Sequence, residues 1–121
     1  MKRMLSILVA TAAVAALLAP ASALADGKAT FDTNCASCHG VSGKGDGPVG
    51  AALTPAPRDF TVGDFKFDAD GNGTPGEDAD LEAVITQGAA AFGGSPLMAP
   101  WPTLSDDDVA AVVAHIRSLK Q

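Results

Sequence analysis

The stretch Cys35-Ala36-Ser37-Cys38-His39 decides how the rest of the chain is interpreted. Two cysteines separated by two residues and followed at once by a histidine form the attachment pattern of a c-type haem. The spacing suits this chemistry because two sulfurs must reach two vinyl positions on one edge of the porphyrin, while the histidine supplies the proximal nitrogen to the iron. We therefore predict one covalent haem c, attached at Cys35 and Cys38 with His39 as an iron ligand.

Other uses of the two cysteines fit the sequence less well. A structural zinc site needs four Cys or His ligands, and only His115, far along the chain, could join this group. A thioredoxin-like dithiol needs a βαβ context, which the helical pattern of the chain does not provide. A disulfide between Cys35 and Cys38 would close a very small loop and constrain little of the unfolded chain.

The N-terminus has the pattern of an export signal. Lys2 and Arg3 precede an apolar stretch at residues 4–19, and Ala23-Leu24-Ala25 is a small-x-small cleavage site. We predict a signal peptide at residues 1–25, one domain at residues 26–121 and a periplasmic location. An uncleaved membrane anchor is the alternative, since the apolar stretch with its extension approaches the length that spans a bilayer.

The charge of the domain limits its partners. Residues 26–121 hold six Lys and Arg against fourteen Asp and Glu, a net charge of −8. Such a charge disfavours nucleic acid and anionic membrane surfaces, and it steers the protein toward basic surfaces over long range. We expect a monomer, without membrane contact after signal removal, whose partners are redox proteins with a basic docking patch.

Hydrophobic spacing predicts helices and no strands. A short helix is expected before Cys35, and a second contains Leu81, Val84 and Ile85 and ends at Gly88. A third begins at Ser105 as its N-cap and carries an apolar stripe. Gly and Pro residues predict loops at residues 40–60 and 89–102. The expected fold is small, all-α and rich in loops.

A His-ligated iron needs a sixth ligand or leaves an open position. Met98 is the one methionine after the predicted signal peptide, and Pro96, Pro100 and Pro102 stiffen the chain around it. We predict that its thioether is the second axial ligand. His115 is the competing ligand, but its place on an apolar helical stretch favours a packing role.

Residues 68–73 match the opening of an EF-hand loop, with Asp68, Asp70 and Asn72 at the oxygen-donor positions. The match then fails, because the twelfth position is Ala79 where a bidentate Glu is required. We predict a solvated acidic turn rather than a calcium site.

These features together resemble the monohaem class I cytochromes c, especially the bacterial periplasmic ones. The motifs that carry the resemblance are Gly27-x-x-x-Phe31, Cys35-x-x-Cys38-His39-Gly40, Gly45-Asp46-Gly47-Pro48, Pro55-Ala56-Pro57, Met98-Ala99-Pro100-Trp101 and the last helix. The resemblance implies that the first and last helices cross beside the haem, with His115 in the position of a residue that is usually aromatic. It also implies that a proline carbonyl, at Pro57 or else Pro48, accepts the N–H of His39.

Two further side chains are expected at the cofactor. The guanidinium of Arg58 and the indole N–H of Trp101 suit the carboxylate of a haem propionate. The resemblance implies a one-electron carrier rather than an enzyme. Two alternatives stay open: a haem enzyme or ligand sensor with an open or displaceable sixth position, and a fixed electron-transfer subunit of a larger redox complex.

Overall fold

The computed structural model describes residues 25–121, so the predicted signal peptide lies almost wholly outside the described residues. Within that range the regular structure is helical, which confirms the predicted all-α class. The α-helices are α1 (Gly27–Asn34), α2 (Ala36–His39), α3 (Asp78–Gln87) and α4 (Asp106–Ser118). Short 3₁₀ turns occur at Gly50–Ala52, Phe60–Val62 and Ala89–Phe92. None of the described helices is long and apolar enough to cross a membrane.

Helix α1 leads directly into the cysteine motif. Asp26 caps its first turn by accepting a hydrogen bond from the Ala29 N–H at 3.1 Å. At the other end, the Cys35 N–H donates to the Phe31 carbonyl, and the His39 N–H then donates to the Cys35 carbonyl at 2.9 Å. Helical bonding therefore continues almost unbroken through the motif, which holds both cysteines and the histidine on ordered backbone.

Helix α4 crosses α1 and begins where the sequence predicts. The Ser105 hydroxyl accepts the Asp108 N–H at 3.1 Å, which confirms the predicted N-cap. At the crossing, Gly27 lies so close to the Ala111 carbonyl that a Cβ there would overlap it. Phe31 is fully buried and packs on His115, with ring centroids 5.0 Å apart. His115 therefore occupies the packing position that the resemblance implied for it.

Helix α3 is tied to the acidic turn before it by one buried carboxylate. Asp80 and Glu77 form a capping box, and Asp80 also accepts the Ala69 N–H at 2.7 Å. Burial alone would raise the pKa of Asp80, but the N–H groups of Glu77, Asp70 and Ala69 that point at it hold the pKa below its ordinary value. The carboxylate thus stays ionised inside the protein.

The core lies between α1, α3 and α4 and consists mainly of the apolar stripes of α3 and α4. Its buried residues are Phe31, Ala36, Leu81, Ile85, Val109, Val112, Val113 and Ile116. Gly88 ends α3, as predicted. The predicted loop at residues 89–102 differs from expectation by one 3₁₀ turn, because three consecutive alanines after Gly88 favour helical backbone.

Candidate haem-binding site

A cavity of about 570 Å³ opens beside the cysteine motif. Its walls come from α1, α2, α3, the two loops on either side of α3 and Ile116 of α4, and they are predominantly apolar. All seven of the site residues predicted from the sequence line it: Cys35, Cys38, His39, Pro57, Arg58, Met98 and Trp101. The volume lies within the ~300–1,000 Å³ range of cofactor and ligand pockets.

The imidazole of His39 is held by two contacts. Its Nδ1 lies 3.1 Å from the Arg58 carbonyl oxygen, and a carbonyl only accepts, so Nδ1 is the protonated nitrogen and Nε2 is left to ligate a metal. The Phe60 ring stacks on the imidazole, with centroids 4.4 Å apart and planes 18° from parallel. Burial lowers the pKa of His39, while the Arg58 carbonyl opposes that shift. The neutral form is the one that binds metal.

The prediction that a proline carbonyl accepts the N–H of His39 is wrong. The acceptor is the carbonyl of Arg58, one residue after Pro57. The Pro57 carbonyl instead lies against Gly45, so close that a Cβ on that glycine would overlap it. The loop passes Gly45 first, and the next carbonyl along the chain therefore turns toward the imidazole.

Cys35 and Cys38 are free cysteines, and the environment of Cys35 does not suit an enzyme's reactive thiol. They are not joined to each other. Burial, with a smaller contribution from the neighbouring Cys38, raises the pKa of the Cys35 thiol to about 11. Reactive thiols need a lowered pKa, so this environment fits attachment of a cofactor better than nucleophilic or dithiol chemistry.

Met98 is positioned through its backbone. Its N–H donates to the Ser95 carbonyl at 3.2 Å, and its carbonyl accepts the Ala89 N–H at 3.1 Å. Further along the same loop, the Trp101 N–H donates to the Ile85 carbonyl at 2.9 Å. The loop is thereby fastened to Ile85, near the C-terminal end of α3, and to Ala89, in the 3₁₀ turn that follows α3, and Met98 lines the cavity.

Charged side chains at the cavity are few. Apart from His39, those lining it are Arg58 and Lys66, and no Asp or Glu of residues 25–121 does so. The Arg58 guanidinium donates to the Asp64 carbonyl and pairs with its carboxylate at 3.0 Å. Arg58 therefore has a partner in the protein while also facing the cavity.

His115 and the acidic turn lie away from this site. His115 packs on Phe31 and is not among the residues that line the cavity. Carboxylate oxygens of Asp68, Asp70 and Asp80 lie within 4.8 Å of one another, but they accept hydrogen bonds from backbone N–H groups of the turn and of Glu77. The preference for an acidic turn over a calcium site stays a prediction.

Sequence reasoning missed the aromatic wall. Phe60, Phe65 and Phe67 all line the cavity, and Phe60 contacts His39 directly. The signal was present: three of the five Phe residues of the chain fall within eight positions of a loop that has no helical period. Such a cluster of aromatic residues needs something apolar to pack against.

The residues present fit a haem. Two thiols, a neutral imidazole with Nε2 free for a metal, and a thioether line one apolar cavity. These are the donors that c-type attachment and His/Met ligation require. The fold and the site together define a c-type haem protein.

Comparisons with known proteins agree. The family model for cytochrome c matches residues 24–120. The chain is 33% identical over 94 residues to cytochrome c6 of Tetradesmus obliquus, which covers 77% of this chain and 86% of the relative. The chain therefore belongs to the cytochrome c family, which implies covalently bound haem c, and Cys35, Cys38 and His39 fit the attachment motif of that cofactor.

A solved structure shows the same fold in a larger assembly. A chain of the reducing HAO-like protein complex of Kuenenia stuttgartiensis matches with a TM-score of 0.64 and 34% sequence identity. The match covers 78% of the present chain but only 41% of that neighbour. The fold thus also occurs as one part of a longer redox-complex chain.

Proposed function

We propose that this protein is a one-electron carrier with a single haem c ligated by His39 and Met98. The observation that carries the proposal is that Met98, whose carbonyl accepts the Ala89 N–H just after the end of α3, lines the same cavity as His39. When bound, the haem supplies a reversible one-electron iron couple, and a thioether ligand raises its reduction potential. The electron-carrier role agrees with the similarity to cytochrome c6.

The protein's own groups bind, orient and exclude water. Cys35 and Cys38 hold the cofactor covalently, and the Arg58 carbonyl keeps the proton of His39 on Nδ1. The apolar walls keep water from the iron ligands. We also propose that the Arg58 guanidinium and the Trp101 indole donate to the propionates, since both line the cavity.

The sequence and the charge of the chain support a proposal for its location and its partners. We propose export through the signal peptide at residues 1–25, a periplasmic location and a monomeric state without membrane contact. The net charge of −8 in residues 26–121 steers the protein toward redox partners with a basic docking patch. Small transient interfaces suit fast release of such carriers.

A fixed subunit of a redox complex is the second candidate. The observation that favours it is the structural match to a chain of a reducing HAO-like complex, of which the present fold is one part. An enzymatic site is less well supported, because no carboxylate of residues 25–121 lines the cavity to serve in acid–base chemistry. Copurification from a membrane-free extract of the native cells separates the two candidates. A free carrier elutes at the mass of one small domain, whereas a fixed subunit elutes together with its complex.

The ligand assignment is tested by carbon monoxide. We expect the purified wild-type protein to contain one covalent haem by mass, to be low-spin, and to bind carbon monoxide slowly or not at all. Met98→Ala should bind it rapidly, whereas Leu97→Ala should behave like wild type, since Leu97 lines the same cavity from the same loop but has no metal-ligating atom. Rapid binding by the wild type, or an unchanged Met98→Ala, would show that Met98 is not the ligand.

A further inference from the structure

The Phe60 ring is in face-to-face contact with the His39 imidazole. Their planes deviate by 18° and their centroids are 4.4 Å apart, which is close to a parallel stack. The hydrogen bond from His39 Nδ1 to the Arg58 carbonyl comes from the same stretch of backbone, two residues earlier. Both contacts of the proximal imidazole are thus supplied by residues 58–60.

The position of Phe60 is itself well determined. Its N–H donates to the Gly43 carbonyl at 2.7 Å, which ties it to the loop that follows His39. Asp59 caps the 3₁₀ turn that begins at Phe60 by accepting the Thr61 N–H at 2.9 Å. Rotation of the ring is restricted by its neighbours, because it meets the fully buried Phe31 edge-on at 6.3 Å.

The two contacts restrict different motions of the imidazole. A hydrogen bond at Nδ1 fixes the direction of one ring atom, but it leaves the plane of the ring free to tilt about that bond. A flat ring packed against one face removes that freedom. Together, a carbonyl at the edge and an aromatic ring at the face determine a single orientation for the ligand.

We propose that Phe60 is a positioning residue for the proximal ligand: its stacked ring fixes the plane of the His39 imidazole, while the Arg58 carbonyl fixes its Nδ1. The inference rests on the proposed function in that His39 must be an iron ligand. In a low-spin ferric haem protein, the orientations of the imidazole plane and of the other axial ligand together determine how unpaired spin is distributed over the porphyrin. The pattern of paramagnetic shifts among the four haem ring methyls therefore reports on Phe60 in variants whose reduced spectrum keeps the wild-type resonances of the bound methionine.

Phe65 offers a matched control. It belongs to the same aromatic wall, with its ring centroid 6.1 Å from that of Phe60, and it also lines the cavity. No aromatic contact joins Phe65 to His39 within the described part of the chain. Phe65→Leu therefore removes comparable aromatic packing without touching the ligand, and Phe60→Tyr keeps a ring at the position of interest.

The test is proton NMR of the holoprotein in both oxidation states. In the reduced, diamagnetic wild type we expect nuclear Overhauser contacts between Phe60 and His39 ring protons, and an upfield ring-current shift of the imidazole protons. In the oxidised state, Phe60→Leu should change the order or spread of the four methyl shifts. Phe65→Leu and Phe60→Tyr should keep the wild-type order.

Two results would overturn the proposal: no Overhauser contact between the rings in the wild type, or a wild-type methyl order in Phe60→Leu. If Phe60→Leu fails to accumulate as holoprotein, the wild-type contacts and Phe60→Tyr still decide. The upfield methyl resonance of an iron-bound methionine in the reduced spectrum reports separately on Met98. Its absence would refute the His39/Met98 ligation and leave the Phe60 result to be judged from the ring contacts alone.

Discussion

His39 and Met98 line the same cavity but are held in different ways. His39 ends a helical turn, and its side chain has its own contacts, a hydrogen bond to the Arg58 carbonyl and a stacked Phe60 ring. Met98 lies in a loop, and the hydrogen bonds that place it join its backbone to Ser95 and to Ala89, just after the end of α3. The orientation of the His39 imidazole thus depends on contacts of the side chain itself, whereas the orientation of the Met98 thioether depends on the position of the whole loop.

This difference leads us to expect that His39 is the more secure of the two proposed ligands. The side-chain contacts of His39 persist when distant backbone shifts by a small amount. Met98 has a flexible side chain and reaches its place only if the loop remains fastened near Gly88 and Ile85. Substitutions in the Met98 loop should therefore alter the reduction potential and the access of external ligands to the iron more readily than they reduce haem retention.

Removal of each ligand gives the largest expected effects. His39→Ala deletes the nitrogen ligand and leaves the Arg58 carbonyl unpaired, so we expect loss of the low-spin spectrum and of most of the stability. Met98→Ala should keep the haem attached and lower the reduction potential by on the order of 0.1 V, within the ~0.8 V that axial ligands span. Spectroelectrochemistry of the two variants measures the spectrum and the reduction potential. Equal loss of the low-spin spectrum in both variants would contradict the expectation that His39 is held more firmly than Met98.

The α1–α4 crossing should affect stability without affecting ligation. A Cβ at Gly27 would overlap the Ala111 carbonyl, so Gly27→Ala forces the helices apart. We expect a loss of about 3 kcal/mol in the free energy of unfolding, at the upper end for overpacking. Denaturant titration measures it. Lys28→Ala on the exposed face of α1 is the control, and loss of its solvent-screened ion pair with Asp32 should leave the free energy of unfolding close to the wild-type value.

Gly88, in contrast to Gly27, should affect both the stability and the position of the Met98 loop. Its φ of 81° and ψ of 154° are accessible essentially to glycine alone, and a Cβ there would meet the Met98 carbonyl and Pro100 at 3.1 Å. Gly88→Ala should cost about 2 kcal/mol of backbone strain and displace the loop. We expect carbon monoxide to bind faster than in wild type while haem stays attached. A variant that is destabilised but binds no faster would mean that the loop does not control Met98.

Arg58→Gln should have the smallest effect. The bond to His39 comes from the backbone carbonyl, which the substitution leaves in place. The lost pair with Asp64 is partly exposed, so unfolding free energy should fall by less than about 1 kcal/mol. The low-spin spectrum should be unchanged. Loss of that spectrum would indicate that the side chain, rather than the carbonyl, positions the histidine.

The sequence allowed much of this architecture to be predicted where the signal was local. The attachment motif, the Ser105 cap and the end of α3 at Gly88 each depend on residues within one helical turn. The acceptor for His39 was predicted one residue too early, because which carbonyl of a loop turns inward depends on the Gly45 contact across the cavity wall. Phe60 was missed because its stack on His39 joins residues 21 positions apart without any periodic pattern.

The central claim, that iron is held between His39 and Met98, is tested most directly by iron K-edge X-ray absorption of the wild-type holoprotein. The predicted first shell contains five nitrogens, four from the porphyrin and one from His39, together with one sulfur from Met98. The sulfur should disappear in Met98→Ala and remain in Leu97→Ala. A wild-type shell without sulfur, or a sulfur that persists in Met98→Ala, would contradict the assignment.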